Sequence, residues 1–145
     1  MIGLDSTFLI DLYWIDSPRH KNAVQLFSTL SEKSTKLLIF YNCFNEFIHV
    51  ITDSKRFENA FSMEQALEIV EMWCCMEEIQ IIYPDDSSFT RERTWLNIYN
   101  LGRNRLNDTS MAACYAQNGV SKIITANPAD FKNLEVFETI DYSQN

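Results

Sequence analysis

The residues of this 145-residue chain best suited to chemistry are acids that stand at or shortly after apolar runs. They are Asp5, Glu46, Asp108 and Asp130. Carboxylates that converge repel one another, and Mg²⁺ or Mn²⁺ offsets that repulsion because both ions prefer hard oxygen ligands. A metal held in this way lowers the pKa of a bound water and stabilises the charge on a phosphodiester during in-line attack. The acids therefore indicate a metal site.

Each of these acids also has a simpler structural interpretation. Asp108 and Asp130 stand where a carboxylate commonly caps a helix or a short turn. Asp5 could simply finish a strand, and Glu46 could be a solvated helix residue opposite an aliphatic stripe. Their joint placement after successive strands favours a shared site, and both interpretations stay open at this point.

Other catalytic centres find little support among the remaining reactive residues. The two histidines, His20 and His49, have no partner at metal-ligand spacing, and no Ser-His-Asp or Cys-His arrangement can be assigned. No CxxC spacing links the cysteines, which we expect to be buried thiols. They are Cys43, Cys74, Cys75 and Cys114. A reaction that needs no protein nucleophile, such as attack by a metal-activated water, agrees with this inventory.

The acids depend for their positions on strands that alternate with helices along the whole chain. The predicted strands are Met1–Asp5, Lys36–Tyr41, Ile79–Tyr83, Lys122–Ala126 and Glu135–Ile140. The predicted helices are Thr7–Ile15, one from Asp16-Ser17-Pro18 to Leu30, one capped by Asn42, Ser62–Met76, Phe89–Leu101 before Gly102, and Asn107–Gln117 before Asn118-Gly119. This order predicts an α/β three-layer sandwich with a mostly parallel central sheet in a single domain, residues 1–145. Its site should lie at the carboxyl ends of the strands.

Composition and charge limit the class of protein and its location, but they do not identify what the protein binds. The formal net charge is −8, the opposite of proteins that hold nucleic acid on a broad basic surface. Acids gathered in one cleft, or a surface that meets a basic partner, would both account for it. No apolar stretch reaches the ~20 residues of a membrane span. The first residues carry no basic region typical of a secretion signal, so we expect a cytoplasmic protein.

Four segments together resemble the PIN-domain ribonucleases. They are GLDSTFLIDL, NCFNEFI, LNDTSMAACYAQNG and IITANPADF, in the family's order and spacing. The resemblance is strongest to the small single-domain VapC-type toxins of type II toxin–antitoxin systems, and it covers essentially the full chain. It implies a PIN-like fold and a metal-dependent endoribonuclease that hydrolyses RNA phosphodiester bonds with a metal-activated water.

The same resemblance implies roles for the acids. Asp5 and Asp108 would hold the principal Mg²⁺ or Mn²⁺, and Glu46 and Asp130 would complete the cluster. Asn127 stands where many relatives carry an aspartate. Because its amide is neutral, we expect Asn127 to orient groups rather than to supply charge.

Three further residues have supporting roles in this interpretation. Thr7 occupies a position where the family often has a small polar residue that hydrogen-bonds within the site. Arg103 and Arg105 precede Asp108 closely and are candidates for contacts with substrate phosphates. The family analogy also implies a homodimer and a cognate antitoxin, and the acidic charge of this chain suits an antitoxin with basic residues.

Two other hypotheses compete with a ribonuclease toxin. One is a catalytically weak or inactive PIN-like module that binds RNA or protein, which Asn127 and the negative charge make conceivable. The other is a metal-dependent phosphatase or phosphoacceptor domain of another α/β family. That hypothesis uses the acid after the first strand and assigns no role to Glu46 or to the late IITANPADF segment.

Overall fold

A five-stranded sheet forms the centre of the computed structural model, which describes residues 1–134 and 136–143. Its strands are β1 (Ile2–Leu4), β2 (Leu37–Phe40), β3 (Ile79–Ile82), β4 (Lys122–Thr125) and β5 (Glu138–Asp141). Their order across the sheet is β3-β2-β1-β4-β5, and every pairing is parallel. The prediction of a mostly parallel sheet is confirmed.

Helices cover both faces of this sheet. They are α1 (Ser6–Tyr13), α2 (His20–Glu32), α3 (Tyr41–Ile51), α4 (Met63–Cys74), α5 (Asp86–Ile98) and α6 (Leu106–Gln117), with short 3₁₀ turns at Arg103–Arg105 and Pro128–Asp130. Helices α1 to α4 form one packed group, and α5 packs along α6 as a second group. The three-layer α/β sandwich expected from the alternation of elements is therefore confirmed. No helix among the described residues has the length and apolar character needed to cross a membrane.

The strand register brings the carboxyl ends of three strands together. Leu4, the last residue of β1, is paired with Ile39 of β2 on one side and with Ile124 of β4 on the other. All three side chains are buried, as expected for a parallel sheet covered on both faces. Residues that directly follow β1, β2 and β4 consequently meet at one edge of the sheet.

Tyr115 of α6 holds the ends of two strands together at this edge. Its hydroxyl donates to the Leu4 carbonyl at 2.5 Å and accepts from the Phe40 amide at 3.1 Å, so one buried phenol joins the ends of β1 and β2. Gly3 makes room for the ring, because a Cβ atom at this position would lie 2.8 Å from it.

Two predicted helix signals are confirmed. The side chain of Ser62 accepts from the Gln65 amide and the side chain of Gln65 accepts from the Ser62 amide, which forms a capping box at the start of α4. Helix α6 ends before Asn118-Gly119, where Gly119 has a φ of +73°. That left-handed conformation is the one that glycine adopts without strain.

Three predicted helix boundaries are wrong. Asn42 does not cap α3, because the helix begins one residue earlier, directly after β2. Gly102 does not end α5, which stops at Ile98, and Asn100 supplies the left-handed residue with a φ of 48°. Helix α2 begins at His20 rather than at Pro18, because Ser17 and Arg19 are engaged in hydrogen bonds to Asp11.

Two further expectations need correction or restriction. Cys43 and Cys114 are buried, but Cys74 and Cys75 are exposed. Trp73 takes the buried side at the end of α4, and the next two residues turn outward because each helical residue rotates by about 100°. The last strand runs over Glu138–Asp141, and residue Glu135 of its predicted range lies outside the described residues.

Asp11 organises a buried polar cluster that the sequence did not predict. Its carboxylate is fully buried and accepts from Arg19 Nε at 2.6 Å, from Ser17 Oγ at 2.6 Å and from Tyr142 Oη at 2.7 Å. Burial and the neighbouring Asp11 carboxylate raise the pKa of Tyr142. The cluster ties α1, the start of α2 and the segment after β5 together.

Candidate active site

Asp5 lies directly after β1 at the edge where the strands end. The carboxylate is buried and accepts hydrogen bonds from hydroxyl groups rather than from the backbone of α1. Its Oδ2 accepts from Thr7 Oγ1 at 2.9 Å and from Thr125 Oγ1 at 2.6 Å, and its Oδ1 accepts from Ser6 Oγ at 3.3 Å. Hydrogen bonds to an ionised acceptor are among the stronger ones, so the orientation of this carboxylate is fixed.

Thr125, the last residue of β4, is a site residue that sequence reasoning missed. The side chain is fully buried, and besides donating to Asp5 its Oγ1 accepts from the backbone amide of Asn127 at 2.9 Å. The rule that sites lie at the carboxyl ends of parallel strands could have identified it, because it precedes the polar tip of β4. Thr125 connects the β1 and β4 corners of the cluster.

Asp130 and Asp108 share Arg105 as a common cation. Arg105 Nη1 forms a close ion pair with Asp130, and its Nε lies 3.7 Å from Asp108 Oδ2. Arg105 Nε is buried and has no hydrogen-bond partner within residues 1–134 and 136–143. Neither acid caps a helix: Asp108 is the third residue of α6, and Asp130 is the last residue of its 3₁₀ turn.

The electrostatic environment of Asp108 shows that the acids act on one another. The pKa of Asp108 is raised to about 6, mainly by burial and in addition by the negative charges of Asp130, Asp5 and Glu46, while Arg105 opposes the shift. Four acids that are far apart in the sequence therefore share one electrostatic cluster.

Glu46 borders the cluster from α3. Its Oε1 accepts from Asn107 Nδ2 at 3.2 Å, which links α3 to the first turn of α6. Both residues and Asp108 help to line a small cavity between the two helices. Glu46 therefore faces the site and not only the solvent.

The other predicted site residues contribute unequally. Asn127 is exposed and acts through its backbone, since its carbonyl accepts from the Asp130 amide at 3.0 Å. Arg103 is exposed and forms no ion pair with the residues that the structure describes. Arg105 is instead held inside the cluster by two acids.

The ligand atoms at this site are of the type that a hard divalent ion prefers, but the side chains are not spaced to hold such an ion. Carboxylate oxygens are the ligands that Mg²⁺ and Mn²⁺ prefer, and the pKa of Asp108 is raised by burial first and then by the neighbouring acids, whose effect Arg105 opposes. Within residues 1–134 and 136–143, however, no three His, Cys, Asp or Glu side chains lie close enough together to hold one metal ion. A metal ion at this site would compete with Arg105 for Asp130 and Asp108.

Comparisons with known proteins connect the chain to solved structures only. No protein-family model matches the sequence, and no curated protein matches it. Toxin structures do match the fold. VapBC-1 from nontypeable Haemophilus influenzae has a TM-score of 0.70 at 20% identity, over 99% of this chain and 100% of the matched chain.

Two further structures give the same result. The sarcin-ricin loop cleaving toxin VapC20 from Mycobacterium tuberculosis has a TM-score of 0.66 at 14% identity, over 85% of this chain and 87% of its own. A chain of a toxin–antitoxin complex from Klebsiella pneumoniae has a TM-score of 0.65 at 18% identity, over 98% of each chain. The fold is thus the PIN fold of VapC toxins, and the resemblance inferred from the sequence is confirmed at the level of the fold.

Proposed function

We propose that this chain is a metal-dependent endoribonuclease and the toxin of a type II toxin–antitoxin pair. The observation that supports this function most strongly is the placement of four acids at one edge of a PIN fold, Asp5, Glu46, Asp108 and Asp130. The raised pKa of Asp108, whose first cause is burial, adds to this support, since perturbed acids are common at functional sites. The similarity in fold to toxins, one of them a sarcin-ricin loop cleaving toxin, adds to this support.

Asp5 and Asp108 would hold Mg²⁺ or Mn²⁺, with Glu46 and Asp130 completing the set of ligands. The ion would supply a water of lowered pKa and a positive charge opposite the scissile phosphate. Four carboxylates around one cleft repel an RNA phosphate, and a bound cation would also lower this repulsion.

The side chains of the protein would orient the reacting groups. Thr7 and Thr125 hold one oxygen of Asp5, and its other oxygen accepts only the longer hydrogen bond from Ser6, which a metal ion could replace. Asn107 holds one oxygen of Glu46. Arg105, once released from the acids, would lie next to the site as a partner for a substrate phosphate, with Arg103 further out on the same turn.

RNA, a second copy of the chain and an antitoxin are the partners that this function implies. The solved complex from Klebsiella pneumoniae is an example of a chain with this fold in a toxin–antitoxin assembly. A net charge of −8 suits an antitoxin segment with basic residues that reaches the acidic cluster. RNA cleavage of this kind would take place in the cytoplasm.

The direct test is cleavage of a labelled RNA by the purified chain in Mg²⁺, in Mn²⁺ and in EDTA. We expect cleavage only with metal, and we expect Asp5→Ala and Asp108→Ala each to abolish it while circular dichroism reports an intact fold. Glu68→Ala, which removes an exposed acid of α4, is the matched control and should cleave normally. Cleavage in EDTA, or normal cleavage by both site variants, would contradict the proposal.

A PIN-like module without catalytic activity is the second candidate function. It is favoured by the lack of a ready group of three metal ligands among the described residues and by the pairing of Arg105 with two of the acids. Calorimetric titration with Mn²⁺ separates the two, because a module of this kind would show no metal binding with all four acids intact. A phosphatase or phosphoacceptor domain is disfavoured, since Glu46 and Asp130 would have no role there and yet both act on Asp108.

A further inference from the structure

Tyr41 and Tyr83 form a stacked pair of rings on the surface. Their centroids are 5.6 Å apart and the planes differ by 21°. Tyr41 is 37% exposed and Tyr83 is 64% exposed. Large aromatic side chains are usually buried or used in binding, so two that stack on each other in water call for an explanation.

The strand register places this pair at the same edge of the sheet as the acids. Tyr41 directly follows β2 and Tyr83 directly follows β3, and the last residues of these strands, Phe40 and Ile82, are register partners. The two rings are thus the continuation of neighbouring strands at their carboxyl ends. This is the edge at which Asp5 follows β1.

Tyr41 lies between two residues that line the cavity between α3 and α6. The residues on either side of it, Phe40 and Asn42, line that cavity together with Glu46 and Asp108. Tyr41 begins the helix that carries Glu46. The ring pair is therefore adjacent in the chain to residues of the acidic site.

The groups around the pair suit a nucleobase better than a phosphate. Asn42 and Asn45 lie in the first turns of α3, joined by a hydrogen bond of 3.1 Å, and carboxamides of this kind can pair with base edges. Asp85 and Asp86 follow Tyr83 closely, and their charges would repel a phosphate. A neutral base can stack on the rings despite this negative charge.

We infer that Tyr41 and Tyr83 form a stacking platform for one unpaired base of the RNA, beside the phosphodiester that is cut. This inference rests on the proposed function. Stacking on an aromatic ring tolerates every base, so the platform would hold single-stranded or looped RNA and position it over the acids. It would favour unpaired over duplex RNA without itself selecting a sequence.

The test measures the affinity of a fluorescein-labelled single-stranded RNA by anisotropy in EDTA, where no cleavage occurs. We expect Tyr83→Ala to weaken binding about tenfold, in keeping with the loss of one base–ring stack. Tyr83→Leu keeps apolar area without an aromatic ring and should be as weak as Tyr83→Ala, whereas Tyr83→Phe should recover most of the affinity. Met72→Ala, which removes an exposed apolar side chain of α4, is the control for general surface effects.

A scan of the same RNA with one base removed at a time makes the test specific. The unmodified chain should lose affinity most strongly at one position, and Tyr83→Ala should be insensitive to base removal at that position. Equal binding by all variants would overturn the platform. Full affinity in Tyr83→Leu would also overturn it, because the RNA contact would then need apolar area and no aromatic ring.

The platform and the proposed function fail in different ways. If the unmodified chain cleaves RNA in Mg²⁺ and Tyr83→Ala binds and cleaves equally well, only the platform is overturned. If the unmodified chain neither binds nor cleaves RNA, the proposed function is overturned together with the platform.

Discussion

Arg105 is the residue on which the charge balance of the acidic cluster depends. It pairs with Asp130 and lies 3.7 Å from Asp108. Arg105 therefore already neutralises part of the negative charge to which a metal ion would bind. Since the two cations compete for the same carboxylates, the affinity of this chain for metal is expected to be lower than four acids alone would give. Arg105 would therefore act as an internal competitor of a bound metal ion.

Replacing Arg105 should therefore strengthen metal binding. We expect Arg105→Gln to raise the affinity for Mn²⁺ about fivefold, since a partly exposed ion pair is worth about 1 kcal/mol. Calorimetric titration with Mn²⁺ measures this change. Arg103→Gln, on an exposed side chain of the same turn, is the control and should leave the Mn²⁺ affinity unchanged. A lower Mn²⁺ affinity in Arg105→Gln would show that the arginine supports the metal site instead.

The pKa of Asp108 gives the pH dependence a definite sign. Because its pKa is raised from 3.8 to about 6 in the folded chain, the folded state binds this proton more tightly than the unfolded state does. The contribution of Asp108 to the free energy of unfolding is therefore present below pH 4 and is lost as the pH rises through about 6.

Asp108→Asn should remove this dependence. In EDTA we expect the variant to have a higher Tm than the unmodified chain at pH 7 and a similar Tm at pH 4, because the amide cannot ionise. Thermal unfolding at both pH values measures the effect. If the Tm values of the two proteins differ equally at pH 4 and pH 7, the pKa of Asp108 is not raised by its surroundings.

At the scale of elements, the site depends on how α6 holds the ends of the strands. Tyr115 binds Leu4 and Phe40, which directly precede Asp5 and α3. Gly3 and Tyr115 are matched in size, since any side chain at Gly3 would overlap the ring. The position of the first acid is therefore coupled to a packing contact below the sheet.

Gly3→Ala should disturb this contact. A Cβ atom 2.8 Å from the Tyr115 ring is expected to lower the free energy of unfolding by about 1–3 kcal/mol, the usual cost of overpacking a core. Urea denaturation measures the change. The substitution Tyr115→Leu should make the protein less sensitive to Gly3→Ala, and additive effects of the two substitutions would argue against direct contact.

The sequence predicted the order and type of the elements better than their ends. Periodic apolar residues and the Ser62 and Gly119 signals are local, so they could be recognised without tertiary information. The start of α2 could not, because it depends on Asp11, which lies in another helix. The positions of the four acids followed from the strand order, whereas Thr125 and the pairing of Arg105 depend on contacts that only the folded chain contains.

At the scale of the whole molecule, the Asp11 cluster joins segments from both halves of the chain. Asp11 lies in α1, and Tyr142 follows β5, 131 residues later. Asp11 is fully buried, whereas the side chain of Arg19 is 36% exposed. Loss of the arginine would therefore leave a buried charge unpaired, whereas loss of the carboxylate charge would leave only a partly exposed cation unpaired.

Removing the cation should cost more than neutralising the acid. Arg19→Met leaves a buried carboxylate without its counter-ion, and we expect a loss of about 3 kcal/mol in the free energy of unfolding. Asp11→Asn leaves an arginine that can turn to solvent, so a smaller loss is expected. Urea denaturation of both variants gives the comparison, and a greater loss in Asp11→Asn would reverse our account of the cluster.

The central place of β1 in the sheet has a consequence for biosynthesis. β1 is made first, yet one of its two neighbours is β4, and Asp5 accepts a hydrogen bond from Thr125, 120 residues further along the chain. Pairings over such separations form late in folding. While the chain is being translated, Asp5 lacks Thr125, Asp108 and Asp130 until those residues have left the ribosome. A nascent chain therefore cannot assemble the acidic cluster until the segment that follows β4 has been made and released from the exit tunnel.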